Sequence, residues 1–267
     1  MKIGINWDAY GRDELEYSFQ GELFRANGVF NTFTDSEHPD FNKHAESIIN
    51  EGITIDTLHG PFSGKININS MWLPGEDGEY MLSRLTSGVD NCARFGIPVL
   101  VVHLSSGDIC PGINDTGHER FARLVEYADR NNVVIAFENQ RKLANIAFAF
   151  EEFPTAGFCW DCGHEACFAG GREYMPLFGD RLCALHIHDN YAVQEGDKHM
   201  IPFDAGLDFD RITGHIAKSG FEGTVMLELA RHTSGAYEDF TPEDYYARAA
   251  SAASRLRGMI EEKRKQL

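Results

Sequence analysis

Six short apolar segments of the chain each carry one histidine, aspartate or glutamate at or near their C-terminal end. They are His59 in TLHGPF, His103 in VVHLS, Glu138 in AFEN, Asp161 in CWDCGH, His186 in LHIHDN and Glu228 in LELAR. An ionisable group inside an apolar segment is costly unless something compensates it. Gathered at one place, the carboxylates would also repel one another. A divalent cation resolves both problems. Mixed carboxylate and imidazole donors suit Zn²⁺ and Mn²⁺ first, with Fe²⁺, Co²⁺ and Mg²⁺ behind them, and suit Ca²⁺ less well. Three further metal-competent residues follow in loops: His164, three residues after Asp161, and Asp197 with His199 in a D-K-H unit. They would extend the centre from one ion to two or three. Taken singly, each residue is weak evidence. A lone strand histidine usually packs as a core residue, and a strand-end glutamate often pairs with an arginine. Here Arg141 and Arg231 follow Glu138 and Glu228 by three residues. The succession of six carries the expectation.

Such residues can meet only if the segments bearing them are neighbours. The apolar segments are 2–6, 29–34, 54–59, 98–104, 133–139, 156–161, 182–188 and 224–229. Several are near-continuously hydrophobic, as parallel strands buried on both faces are. Segments of helical period lie between them. In HERFARLVEYADR, Phe121, Leu124, Val125 and Ala128 share one face, and in DFDRITGHIAKSG so do Phe209, Ile212 and Ile216, with Gly220 as the stop. The last helix opens with Thr241 as N-cap and Pro242 at its first position. Eight strand–helix units point to an α/β fold, a (β/α)₈ TIM barrel spanning residues 1–267 as one domain. A doubly wound open sheet is the alternative. It usually carries a glycine-rich loop after its first strand, where this chain has NWDAYG. In a barrel the strand C-termini form the active-site face. By strand alternation His186 and His188 face the same side one layer apart. His186, the deeper, is the expected ligand, and His188 a supporting or substrate-contacting group.

The 267 residues carry 24 basic and 41 acidic side chains, a net charge of −17. A surface this acidic repels phosphate backbones, so no nucleic-acid partner is expected. The dense basic stretch is EEKRKQL at the C-terminus. No apolar run approaches the roughly 20 residues that span a bilayer, and MKIGINWDAY lacks the apolar stretch of a signal peptide. A cytoplasmic protein without membrane attachment is expected. The six cysteines are expected to be reduced thiols, because a chain this long builds its core without disulfides. Cys159 and Cys162, with Cys167 and Cys183, offer a rival zinc site. However, Cys159 should face the same side as Asp161, and Cys162 the other.

The fragments HGPF, VVHLS, AFEN, DCGH, HIHDN, DKHMIPFDAG and LEL together resemble the xylose isomerase-like TIM-barrel superfamily. That superfamily includes sugar and sugar-phosphate isomerases and epimerases and apurinic endonucleases of the endonuclease IV type. The resemblance runs from Lys2 to Leu229. It implies, by likeness to the ketose 3-epimerases, one metal held by Glu138, Asp161, His186 and Glu228. Glu138 and Glu228 would also move the proton, one on each face of the sugar carbon. Likeness to the endonuclease IV type implies further zinc ligands at His59, His103, His164, Asp197 and His199. The catalytic barrel lysine of true xylose isomerases has no counterpart that can be placed here. The expected activity is therefore metal-dependent isomerisation or epimerisation of a small sugar or sugar phosphate, with pairing of barrels into a homo-oligomer. His188, Arg141, Arg231, Trp7 and Phe62 would contact the substrate, with Trp72, Phe203 and Lys198 nearby. The competing activities are phosphodiester cleavage by a multi-zinc site and non-catalytic binding of metal or sugar.

Overall fold

Apolar segments and amphipathic segments alternate along the chain as strands and helices in the computed structural model, which describes residues 1–193 and 196–267. The strands are β1 (Lys2–Ile5), β2 (Asn31–Asp35), β3 (Thr54–His59), β4 (Val99–His103), β5 (Val134–Glu138), β6 (Gly157–Asp161), β7 (Leu182–His186) and β8 (Thr224–Leu227). All pair in parallel, in the order β7-β6-β5-β4-β3-β2-β1-β8. The ring closes where Ile187 bridges Leu227, with the Ile187 N–H on Met226 O at 3.0 Å and the Glu228 N–H on Ile187 O at 3.1 Å. The protein is a TIM barrel. The strands match the sequence expectation to within one or two residues at each end. β7 stops at His186 rather than 188, because Ile187 crosses to β8 and Asp189 pairs antiparallel with Met200.

The helices are α1 (Tyr17–Ala26), α2 (Phe41–Asn50), α3 (Glu76–Phe95), α4 (Asp115–Arg130), α5 (Leu143–Glu152), α6 (Cys162–Phe168), α7 (Met175–Phe178), α8 (Phe209–Ser219) and α9 (Pro242–Arg264). They end as the sequence dictates. Thr241 Oγ1 accepts the Asp244 N–H at 3.2 Å to cap α9, and Gly220 ends α8 at φ +74°, where a side chain would be strained. Among the described residues no helix is long and apolar enough to cross a membrane.

Two cores follow from strand alternation. On β5, Ile135 and Phe137 point outward to the helices, with Leu124 and Phe121 of α4 in the same buried cluster. Each such side chain contributes about 1.5–3 kcal/mol by leaving water. Ala136 points inward, into a small cluster with Val99, Val101, Cys159 and Ala184. Small inward residues leave the barrel's upper layer free for polar groups. The ladder register then sets their height. His103 is level with Glu138, Asp161 with His186, and Asp35 with His59.

Candidate metal centre

Glu138 ends β5 inside the barrel and is buried. Its Oε2 lies 3.2 Å from His59 Nε2, 3.1 Å from His103 Nε2 and 3.5 Å from His186 Nδ1, while Oε1 lies 3.0 Å from His164 Nδ1. Four imidazoles from β3, β4, β7 and α6 thus surround one carboxylate. His59 Nδ1 sits 2.8 Å from the Gly60 carbonyl, which can only accept. That fixes a proton on Nδ1 and leaves Nε2 as the nitrogen that faces Glu138 and could coordinate an ion. His59, His103 and Glu138 form one donor trio close enough to hold an ion.

A second trio is His164, Asp197 and His199. Asp197 Oδ2 is 3.4 Å from His164 Nε2 and 3.6 Å from His199 Nε2. His199 Nδ1 turns away, to the Glu228 carbonyl at 3.2 Å. Between the trios lie Asp161, His186, His188 and Glu228. Asp161 Oδ1 caps α6 through the His164 N–H at 2.6 Å and lies 3.2 Å from His188 Nε2. Glu228 Oε2 is 3.3 Å from His186 Nδ1. The glycine of DCGH has a steric reason: a side chain on Gly163 would overlap the His188 ring. Asn139 ties the strand ends together, its amide donating to Asp161 O and accepting from the Asp161 N–H, both at 2.8 Å.

The electrostatics ask for positive charge. Burial alone would raise Glu138, but the imidazoles of His103 and His186 hold it well below the usual carboxylate range. Burial would likewise lower His164 and His186, yet Asp161 beside the first and Cys159 and Glu228 beside the second push both well above the ordinary imidazole value. Burial also opposes charge on His199, but Asp197 and Glu228 raise it to about 9. Without a cation, protons on imidazoles balance the carboxylates. Even so, Glu138 Oε1, Asp161 Oδ2, Asp197 Oδ1, Glu228 Oε2, His188 Nδ1 and both nitrogens of His186 are buried with no hydrogen bond. Orphaned donors of this density are rare in folded proteins. Converging carboxylate oxygens and imidazole nitrogens fit a divalent cation, which would replace the protons.

Above the donors opens a cavity of about 610 Å³, ordinary for a small-molecule site. Phe33, Phe62 and Phe168 form its apolar walls, and Arg12 and Arg141 reach its rim. Arg141 stacks over Phe168 at 3.9 Å and donates to Asp108 at 2.8 Å. Phe62 and Arg141, two of the residues expected to contact substrate, thus both line the cavity. Other expected substrate contacts lie elsewhere. Trp7 is a core residue against Tyr17 and Phe24. Arg231 lies over Tyr10 and binds the carbonyls of Tyr237 and Glu238. Trp72 donates to Leu104 O at 2.6 Å within the outer core, and Phe203 packs on Phe209. Lys198 does not line the cavity, and His188 is sealed beneath it, 3.6 Å from Asp197 Oδ1 and stacked on His199 at 4.1 Å. The six cysteines are free. Cys159 faces the barrel interior, where burial pushes its thiol up to about 12, while Cys162 Sγ points to His188 O at 3.6 Å. Phe33, Phe168, Gln140 and Arg12 were not legible, since each becomes a wall only when strands distant in sequence close the ring.

Comparisons with known proteins agree with this architecture. A protein of Sinorhizobium fredii (strain NBRC 101917 / NGR234), "Uncharacterized protein y4fM", is 30% identical over 194 residues, covering 66% of this chain. The match spans 60% of the length of that relative. The D-psicose 3-epimerase of Clostridium cellulolyticum H10, solved with D-tagatose, superposes with a TM-score of 0.76 at 14% identity, covering 97% of this chain and 99% of its own. A structure described as IOLI protein with a binding zinc atom superposes with a TM-score of 0.75 at 15% identity, covering 98% and 99%. The sequence profile of the family described as xylose isomerase-like TIM barrel matches residues 19–256. That profile covers most of the chain, and the chain belongs to the xylose isomerase-like TIM-barrel family.

Proposed function

We propose that this protein is a divalent-metal-dependent isomerase or epimerase of a small sugar or sugar phosphate. One observation carries the reading: Glu138 and Glu228 approach the same His186 Nδ1, at 3.5 and 3.3 Å, on the floor of an apolar-walled cavity. Two carboxylates facing one point are what a proton shuttle needs. The structural likeness to the psicose epimerase supports the substrate class. Glu138, Asp161, His186 and Glu228 would hold the ion, Zn²⁺ or Mn²⁺ first. When bound, it supplies Lewis-acid polarisation of a carbonyl and its neighbouring hydroxyl. Glu228, the more open of the two, takes the proton from the carbon next to that carbonyl, and Glu138 serves the opposite face. Positioned proton transfer contributes about 10²–10⁴-fold. Phe33, Phe62 and Phe168 exclude water and bear on the apolar side of the sugar, and Arg141 meets its polar or anionic end.

A second reading is favoured by one specific feature: the two additional trios, His59–His103–Glu138 and His164–Asp197–His199, suit two or three ions and hence phosphoester cleavage. Duplex DNA is disfavoured by the −17 charge and by pairing of Arg12 with Asp35 and Arg141 with Asp108. The test is a panel of ketoses and ketose phosphates incubated with Zn²⁺- or Mn²⁺-loaded protein in D₂O. Proton loss next to the carbonyl, read by NMR and abolished by Glu228→Gln, is expected. No exchange on any member, together with nicking of abasic duplex DNA, would overturn the reading in favour of the phosphodiesterase.

A further inference from the structure

Asp189 follows the donor-bearing HIH triplet and touches neither the cavity nor the trios. Its side chain is 1% exposed. A carboxylate that deep is costly unless its oxygens are satisfied, and here they are. Oδ1 accepts the N–H groups of Asn190 at 2.9 Å, Gly206 at 3.1 Å and Leu207 at 2.9 Å, and Oδ2 accepts that of Ala205 at 2.8 Å. Its backbone pairs both ways with Met200, at 2.8 and 2.9 Å. One side chain therefore grips the chain where it leaves β7 and where it returns toward α8. Bonds to an ionised acceptor are about twice as strong as neutral ones.

Asp197 and His199 lie between those grips. His199 stands at φ +45°, a left-handed backbone that a β-carbon disfavours. Such a conformation persists only where the surroundings over-determine it. The ties beside it are the Ala230 N–H on His199 O at 3.1 Å, the Thr233 hydroxyl on Lys198 O and the Asp189–Met200 pair. We propose that Asp189 is the positioning residue of the His164–Asp197–His199 trio: it fixes the loop so that Asp197 and His199 meet His164, without itself touching the ion. This rests on the two- or three-ion reading above, in which that trio holds an ion.

The test is chelator competition on the full-length protein loaded with Zn²⁺, comparing wild type, Asp189→Asn, His199→Ala and the double variant. Asp189→Asn is expected to weaken one class of ion by about 10–100-fold, as loss of a supporting partner does. That class is the one His199→Ala removes, and the double variant is no weaker than His199→Ala. Ions on His59 and His103 are expected to hold as in wild type, which a general loss of structure would not allow. Wild-type affinity for every ion in a folded Asp189→Asn protein overturns the proposal, as does equal weakening of all classes. A wild-type protein that binds no divalent ion fails the metal reading instead, a different outcome. Should Asp189→Asn not fold, hydrogen exchange on metal-free wild type decides: protected amides at Ala205, Gly206 and Leu207 are expected, and free exchange there overturns the proposal.

Discussion

Replacing Glu138 by Gln tests the hub of the site. The change keeps shape and removes the charge that His59, His103, His164 and His186 approach at 3.0–3.5 Å. If ions sit among these groups, they stabilise the folded chain by mass action, since the unfolded chain has no such site. An ion at 100 times its Kd adds about 2.7 kcal/mol. Unfolding entropy near 2.1 cal/mol/K per residue gives about 0.56 kcal/mol/K for 267 residues, so each such ion raises Tm by about 5 °C. Wild type should therefore gain about 5 °C for one ion and about 10–15 °C for two or three. Glu138→Gln should lose the share of that gain due to every ion Glu138 holds, about 5 °C or more, while its metal-free Tm stays within a few degrees of wild type. The assay is a thermal melt by circular dichroism, with and without Zn²⁺ or Mn²⁺, beside metal analysis of the dialysed protein. A Glu138→Gln protein that keeps wild-type ion content and the full Tm gain would refute the placement of the metal.

Other outcomes are as specific. Gly163→Ala should drive the His188 ring off Asp161 and reduce bound metal, measured by the same melts, whereas Gly112→Ala, which meets open space, should not. Phe168→Ala and Phe62→Ala should each raise KM for an accepted sugar by about 10–100-fold, from about 1.5–3 kcal/mol of lost apolar contact; an unchanged KM would place the sugar elsewhere. Arg120→Ala should lower stability by about 3 kcal/mol in urea titrations, because this buried guanidinium holds the carbonyls of Ser70, Met71, Leu73 and Gly75 ahead of α3. His44 gives a pH dependence. Burial, then neighbouring His38, lower its imidazole from 6.5 to about 4, and it sits neutral between Tyr17 and Thr34 hydroxyls at 2.7 Å. Its contribution is complete above pH 6.5 and falls as pH drops toward 4, at up to about 1.4 kcal/mol per pH unit. His44→Gln should flatten that part of the stability profile.

Much of the fold was written in local pattern. Strand segments were recognisable because both faces are buried, so apolar runs end where the barrel rim begins, and helix ends because Thr241 and Gly220 satisfy local backbone demands. The donors were legible for the same reason: an ionisable residue closing an apolar run stands out. The walls were not. Trp7 and Phe62 look alike in sequence, each just after a strand, yet Trp7 turns into the helix layer and Phe62 over His59 and His103. Arg141 and Arg231 also occupy equivalent spacings, and only one reaches the cavity.

The amino-acid sequence alone determined which residues are able to bind a cation and that parallel strands present them, because residue chemistry and hydrophobic period are local properties. Only the tertiary structure decided which donors share a point, that Glu138 stands among four imidazoles, and that Asp189 ties down the loop bearing Asp197 and His199. Those relations are set by strand register and ring closure, which bring together groups up to 169 positions apart, His59 and Glu228 among them, and no local pattern encodes that distance.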